Sequence, residues 1–424
     1  MGKLVILMIT AFVDMAGLFM VLPILPFYAK SLGATAFVFG ILVSSFSVAQ
    51  LLSAPLWGRF SDRYGRRPAL LIGLAGSAIA YVIFAYANSL WLLLLSRLVQ
   101  GAGGGTTGVI QAYVADAVKP EDRARGLGWL SAATNAGVAI GPVLGSGAAV
   151  LGRHAPGLAG AGLCVLNILF AWRFLSESRD MVQARSTVPT RRRGREAIVH
   201  VIRHPNEPAA RLIWIYAIGM GAFSGFNAVF ALFLAARFGV TAKTIGFFYT
   251  YVGTIAIITR AGILGWAVAK FGEARLSRFG MSLLTVGLLS MPFMHRLADP
   301  ASLANRLGGA LPLGAVSILP FLPLAVAVAL IPLGTAFTFP CVTALLSRVI
   351  PSHERGLYMG MQQTFGGFAR VVFPLVAGLA FDWYLPTPFL ISAVLVAGTI
   401  VLGLQMDSYV RPVVAEEAGP AIAG

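Results

Sequence analysis

Twelve windows of roughly 20 apolar residues, separated by short polar segments, dominate this sequence. They lie near 4–28, 37–57, 69–87, 90–115, 126–150 and 158–176, and again near 210–235, 244–268, 276–294, 320–346, 357–380 and 386–406. A window of this length crosses a bilayer as an α-helix, and in lipid only helices and closed barrels satisfy every backbone group internally. The expected fold class is an all-α integral membrane protein with twelve transmembrane helices, here called span one to span twelve. Composition excludes the soluble alternatives: 58% of residues are hydrophobic, 11% are charged, and the mean hydropathy is +0.81, which a soluble domain of this size does not tolerate. The first run is too long for a signal-peptide core and is followed by no small-residue cleavage pattern, so it reads as a span kept in the mature chain. Cys164 and Cys341 lie in apolar stretches and suggest neither a disulfide framework nor a metal cluster.

The net charge of +16 would suggest nucleic acid in a soluble protein, but here its distribution reads as topology. Of 32 Lys and Arg, six fall in the segments assigned outside (Lys30, Arg153, Arg237, Lys243, Arg296, Arg306), three lie inside spans, and the rest cluster on the other face. The positive-inside rule then puts both termini in the cytoplasm, in a plasma membrane of the bacterial inner-membrane kind. No nucleic-acid partner is expected. The segment 177–208, with Arg191, Arg192, Arg193 and Arg195, divides the spans six and six. The chain thus reads as a bundle over 1–176, a basic cytoplasmic linker over 177–208 that meets water and anionic headgroups, a second bundle over 209–407 and a tail over 408–424. His200 and His204 in that linker have i, i+4 spacing but lack the Glu of a zincin motif, so no metal site is assigned.

The halves repeat each other. "GRFSDRYG" from Gly58 and "GWAVAKFG" from Gly265 share a basic residue, an aromatic and a glycine at matching places, and Arg123, Gly128 and Pro142 recur 232 positions later as Arg355, Gly360 and Pro374. Duplicated six-helix halves with a site between them are a secondary-transporter architecture.

A few residues stand out against the apolar background. Asp14 lies about ten residues into span one, which at roughly 1.5 Å per residue puts it about 15 Å deep. An ionised carboxylate at the bilayer centre costs roughly 2.5–3.5 kcal/mol on insertion scales, and acids retained there mark ion paths. A change in water access or in a charged partner makes such a group load and release a proton. Arg97 in span four, Arg260 in span eight and Arg370 in span eleven are the other intramembrane charges, and this cationic excess would suit an anionic substrate. In span seven, Phe223, Phe226, Asn227 and Phe230 offer an aromatic and amide face able to line a ligand pocket. "GAGGGTTG" (101–108) is no phosphate loop: no strand precedes it and no Lys follows, so Gly101 with Gly105 and Gly104 with Gly108 read as helix-packing pairs. Gly137, Gly141 and Gly145 make a similar stripe in span five, with Pro142 loosening the backbone.

"GRFSDRYGRRP" resembles the signature loop of the major facilitator superfamily, with Gly58, Asp62, Arg63, Gly65, Arg66 and Arg67 in place. Arg97 in "LSRLVQGAGGG" resembles the superfamily's fourth-helix motif, and "GVAIGPVLGS", with Gly137, Gly141, Pro142 and Gly145, its antiporter motif. With Asp14, Pro23 and Pro26, these make the chain similar to the twelve-helix drug:proton antiporters, including tetracycline exporters. The resemblance implies two pseudo-symmetric six-helix bundles, a proton-coupling pair of Asp14 and Arg97, and a cytoplasmic latch. In that latch Asp62 lies near the start of span eleven and Arg66 reaches Asp116, holding the outward-facing state. The chain departs in carrying Ser146 where the motif ends in a second glycine, and in lacking acids in spans three and nine and a histidine in span eight, which argues against tetracycline itself.

The expected function is a proton-coupled antiporter that exports a small amphipathic compound by alternating access, needing no cofactor or metal and working as a monomer among lipids. An organic-anion transporter using Arg260 and Arg370 is the nearest alternative, and a non-transporting sensor or scaffold, indifferent to loss of Asp14, is the alternative of another class. No nucleophile, base and orienting group converge by spacing, so an enzyme is not expected.

Overall fold

The computed structural model describes residues 2–104, 107–118, 122–177, 193–294, 321–351 and 354–406. Gly105, Arg191, Arg192, Arg296, Arg306, most of the linker before 193 and the tail 408–424 lie outside the described residues. The described residues are helical, with no strand among them. Each predicted window becomes a helix. Ten are long and apolar enough to cross a membrane: Leu4–Ser31, Ala36–Tyr64, Arg66–Ala85, Arg125–Val150, Ala155–Phe174, Pro208–Phe238, Ile245–Phe271, Glu273–Phe293, Leu322–Val349 and Arg355–Trp383. Span four is present as Leu90–Gly104 and Thr107–Ala117, and span twelve as the shorter Thr387–Leu402. The protein is an all-helical, multi-pass membrane protein.

Breaks fall where the sequence chemistry puts them. Span one is interrupted at 22–24, beside Pro23, and resumes with Pro26 near the start of Leu25–Ser31, where a missing N–H costs nothing. Span eight contains a π-helical turn at Thr259–Ile263, which carries Arg260 and which no sequence signal announced. The basic linker also contains more than a solvated loop: Arg193–Arg203 is a helix that packs on span eleven, with Val201 buried.

The duplicated loops between the second and third helices of each half fold alike. Gly65 and Gly272 each end one helix and begin the next with a positive φ, 107° and 75°, and each donates its N–H to the carbonyl four residues back, on Ser61 and Val268. A side chain there would be strained, which explains the repeated glycine.

Packing divides the chain into two compact units, Met1–Pro189 with Phe230–Ile257, and Thr190–Val229 with Ile258–Gly424. In the first, span five lies along span one and spans three, four and six close around them. A core of Leu7, Leu70, Leu74, Ile110, Tyr113, Val114 and Leu175 fills one end. The predicted stripe in span five explains the closest approach: a Cβ on Gly137, Gly141 or Gly145 would run into the backbone carbonyls of Phe12, Ala16 and Met20. Gly101 and Gly104 likewise seat span four on Phe46 of span two, and Gly103 seats it on the carbonyl of Gly73, whereas Gly108 faces open space. In the second unit, span nine lies along span ten through Gly280 and Gly334, each against the other's carbonyl. Large apolar side chains such as Leu52, Leu56, Trp91 and Val394 remain exposed, as lipid-facing helices require.

Candidate functional site

Asp14 is nearly buried on span one, and among the described residues it has no hydrogen bond or ion pair. Around it the first unit collects polar side chains from four helices: Thr10 on span one, Tyr81 on span three, Arg97 and Gln100 on span four, and Cys164 and Asn167 on span six, all buried. Asn167 Nδ2 donates to the Thr10 carbonyl at 3.0 Å and ties span six to span one beside the acid. The three guanidinium nitrogens of Arg97 have no hydrogen-bond partner among the described residues. Asp14 and Arg97 are therefore neighbours in one cluster without being paired. The residue that reaches both is Tyr81, which interacts electrostatically with Asp14, Arg97 and Cys164 and shares a side-chain hydrogen bond with Gln100. Nothing in the sequence marks Tyr81, because only the packing of spans one, three, four and six brings it to the charges.

Several residues of the loop after span two contact one another and the end of span four. Arg66 Nε donates to Asp116 Oδ2 at 3.1 Å, its Nη1 meets Asp62 Oδ1 at 2.9 Å, and the same nitrogen donates to Ser61 Oγ at 2.7 Å. The buried Arg66 side chain thus joins the loop to the C-terminal end of span four. Gly65 makes the required turn, Arg63 stacks over Tyr64 at 5.4 Å, and Arg67 donates to the Trp172 carbonyl. Gly58 meets nothing within 4 Å and is not a close-packing position.

Sequence reasoning missed the loop's anchor. Glu177, just after span six, accepts from the backbone N–H groups of Arg66 and Arg67, each at 3.0 Å. A carboxylate at the exposed N–H groups of a helix start is favourable both as a cap and through the helix dipole. The second unit carries a counterpart: Arg348 at the C-terminal end of span ten bonds Glu273 at the start of span nine. The internal repeat could have revealed it, since Asp116 lies 232 residues before Arg348, the shift that relates Arg123 to Arg355.

Span five's other side holds the start of span eight. Ser146 Oγ accepts from the Gly246 N–H at 2.8 Å and donates to the Ala242 carbonyl at 2.9 Å, while Thr250 Oγ1 donates to the Ala139 carbonyl at 2.7 Å. Gly246 sits against the Pro142 carbonyl and Gly253 against Ala139.

The span-seven candidates go different ways. Phe226 is buried edge-on against Phe389, and Phe230 is buried against Tyr249 with centroids 5.5 Å apart. Phe223 and Asn227 are half-buried, and Asn227 Nδ2 donates to the Phe223 carbonyl at 2.8 Å. Arg260 interacts electrostatically with Tyr216 of span seven, and Arg370 is half-buried. In the linker, His200, His204 and Glu207 gather with possible ligand atoms within 4.8 Å of one another. His200 Nε2 is already engaged with Glu207 Oε2 at 2.8 Å, and Arg203 and Arg211 adjoin them in sequence, a poor setting for a dication.

Comparison with known proteins agrees with this architecture. The chain is 29% identical over 380 residues to the tetracycline resistance protein, class C, of Escherichia coli, covering 88% of each chain. It is 26% identical over 407 residues to multidrug resistance protein 2 of Bacillus subtilis (strain 168), covering 95% of this chain and 94% of the relative. The crystal structure of the human organic anion transporter MFSD10 (TETRAN) superimposes with a TM-score of 0.61 at 22% identity, over 95% of this chain and 98% of the other. The profile of the Major Facilitator Superfamily matches residues 7–305. With ten helices long and apolar enough to cross a membrane among its described residues, a duplicated glycine-turned loop and a match over most of its length, the chain belongs to the Major Facilitator Superfamily of membrane transporters and is not an enzyme.

Proposed function

We propose that the protein is a proton-coupled antiporter that exports a small amphipathic compound by alternating access. The observation that carries this reading is Asp14, a buried acid on the span that rests on span five's glycine stripe, in one cluster with the unpaired Arg97 guanidinium of span four. Protonation lowers the cost of keeping this carboxyl in a dry setting, and ionisation raises it, so its charge state favours different degrees of water access. Arg97 is the fixed charge against which Asp14 titrates. Gly137, Gly141, Pro142 and Gly145 form the smooth surface on which span one moves, and the Arg66–Asp116 contact holds the inner loop of the first unit. The similarity to proteins named for tetracycline and multidrug resistance supports an exporter. The orientation that fits the charge distribution puts both termini in the cytoplasm of a bacterial inner membrane, with the protein working as a monomer.

A specific observation favours a second reading of the substrate. Arg260 occupies a π-helical turn, a local defect common at functional sites, and faces Tyr216. A solved structural relative is named an organic anion transporter. An organic anion held by Arg260 and Arg370 is the substrate class this arrangement supports.

The deciding measurement is accumulation of a lipophilic fluorescent cation in cells expressing the wild type or Asp14→Asn at matched levels, with and without a protonophore. Lower accumulation in the wild type, abolished by either perturbation, is the expected result. Full activity in Asp14→Asn sinks the proton-carrier role, and no difference from empty cells moves the substrate to the anionic class.

A further inference from the structure

Tyr81 lies at the centre of the buried cluster, and the coupling scheme above does not use it. Its ring is held on two sides by glycines: a Cβ on Gly17 of span one would lie 3.3 Å from the Tyr81 hydroxyl, and one on Gly160 of span six 3.3 Å from the ring. These positions fix where the hydroxyl points. The groups facing it are Asp14 from span one, Arg97 and Gln100 from span four, and Cys164 from span six. Asp14 and Arg97 each interact with Tyr81. A phenol can donate to a carboxylate and accept from a guanidinium or an amide. Beside it stands the Arg97 guanidinium, whose three nitrogens have no hydrogen-bond partner among the described residues, and Gln100 shares a side-chain hydrogen bond with it. Leaving a buried guanidinium unpaired is costly, so a small movement of the hydroxyl toward it is favourable.

We infer that Tyr81 is the positioning residue of proton coupling, the hydroxyl through which the charge state of Asp14 is passed to Arg97 and Gln100. When Asp14 is ionised, the hydroxyl donates to it and leaves its lone pairs to the span-four groups. When Asp14 is protonated, the carboxyl no longer needs that donor and the hydroxyl is released. Span three thereby couples spans one and four without itself gaining or losing a proton. This inference rests on the reading of Asp14 as the proton carrier.

Tyr81→Phe tests it, because the ring that fills the space between Gly17 and Gly160 is kept and only the hydroxyl is lost. The assay is transport of the fluorescent cation by purified protein in liposomes, as proton-driven flux across a pH series and as counterflow without a pH gradient. Tyr81→Phe is expected to displace the pH profile and cut proton-driven flux by roughly tenfold, the scale of one hydrogen bond to a charged group, while counterflow stays near wild type. An unchanged pH profile overturns the inference, as does equal loss of flux and counterflow, which would mark a structural role. If Tyr81→Phe does not fold, Gln100→Leu gives a second reading: a displaced profile supports the inference and a wild-type profile overturns it. Asp14→Asn separates the two levels of the argument. Proton-driven flux that survives in Asp14→Asn defeats the carrier reading itself, whereas its loss there combined with a wild-type Tyr81→Phe defeats the tyrosine alone.

Discussion

Ser146 stands where the resemblance to antiporters leads to a second glycine, and its hydroxyl bridges two backbone groups at the start of span eight, the Gly246 N–H and the Ala242 carbonyl. The first bond is buried and the second partly buried. Ser146→Ala is therefore expected to cost about 1–3 kcal/mol, the range for leaving buried hydrogen-bonding groups unpaired, and to lower the thermal unfolding midpoint of the purified protein in detergent. Ser146→Thr, which keeps an oxygen at that place, is expected to lose less. An unchanged midpoint in Ser146→Ala would show that neighbouring groups take over the bonds. At this scale the sequence was legible where chemistry is rare and opaque where it depends on a distant partner. Asp14 and Arg97 announce themselves as charges in apolar windows. Ser146, Tyr81 and Glu177 do not, because the partners of each lie on other helices and no periodicity of their own helices points to them.

Among the elements, the loops that follow spans two and eight are built to one plan with the charges exchanged. In the first unit a base on the loop side, Arg66, meets an acid at the end of span four, Asp116. In the second the acid is on the loop side, Glu273, and the base, Arg348, is at the end of span ten. The backbone of the repeat, a positive-φ glycine followed at once by the charged residue, is the same in both. What the duplication preserves is the tie and not its polarity. Arg348→Glu or Glu273→Arg alone should place like charges together and reduce stability, while the exchanged double variant should recover most of the loss. Because Arg348 is 55% exposed in its side chain, the coupling should be about 0.2–1 kcal/mol, as for surface pairs. A double-mutant cycle on thermal stability measures it, and additive effects would dismiss the tie. The glycine stripes, the Pro23 break and the repeated turn were legible because small residues and prolines act through the local backbone. The π turn at Arg260 was not, since nothing in "TRAGI" departs from ordinary helix composition.

For the molecule as a whole, the charge distribution makes a claim that side-chain geometry does not. Lys30 is exposed at the end of span one, and Arg203 is exposed on the linker helix; the positive-inside reading puts them on opposite faces of the membrane. Two single substitutions separate the faces cleanly, because the native thiols are silent: Cys164 and Cys341 are both buried, 0% and 1% exposed. Lys30→Cys should react with a membrane-impermeant maleimide added to intact cells. Arg203→Cys should react only after the membrane is opened. The reverse pattern would invert the protein and place the Arg66–Asp116 tie outside, where it could not act as an inner-face contact. Labelling of both sites in intact cells would mean that the linker helix and the end of span one share a face, which an even number of spans between them would require. The twelve-helix reading puts five complete spans between Lys30 and Arg203, and that odd number is what the labelling pattern tests.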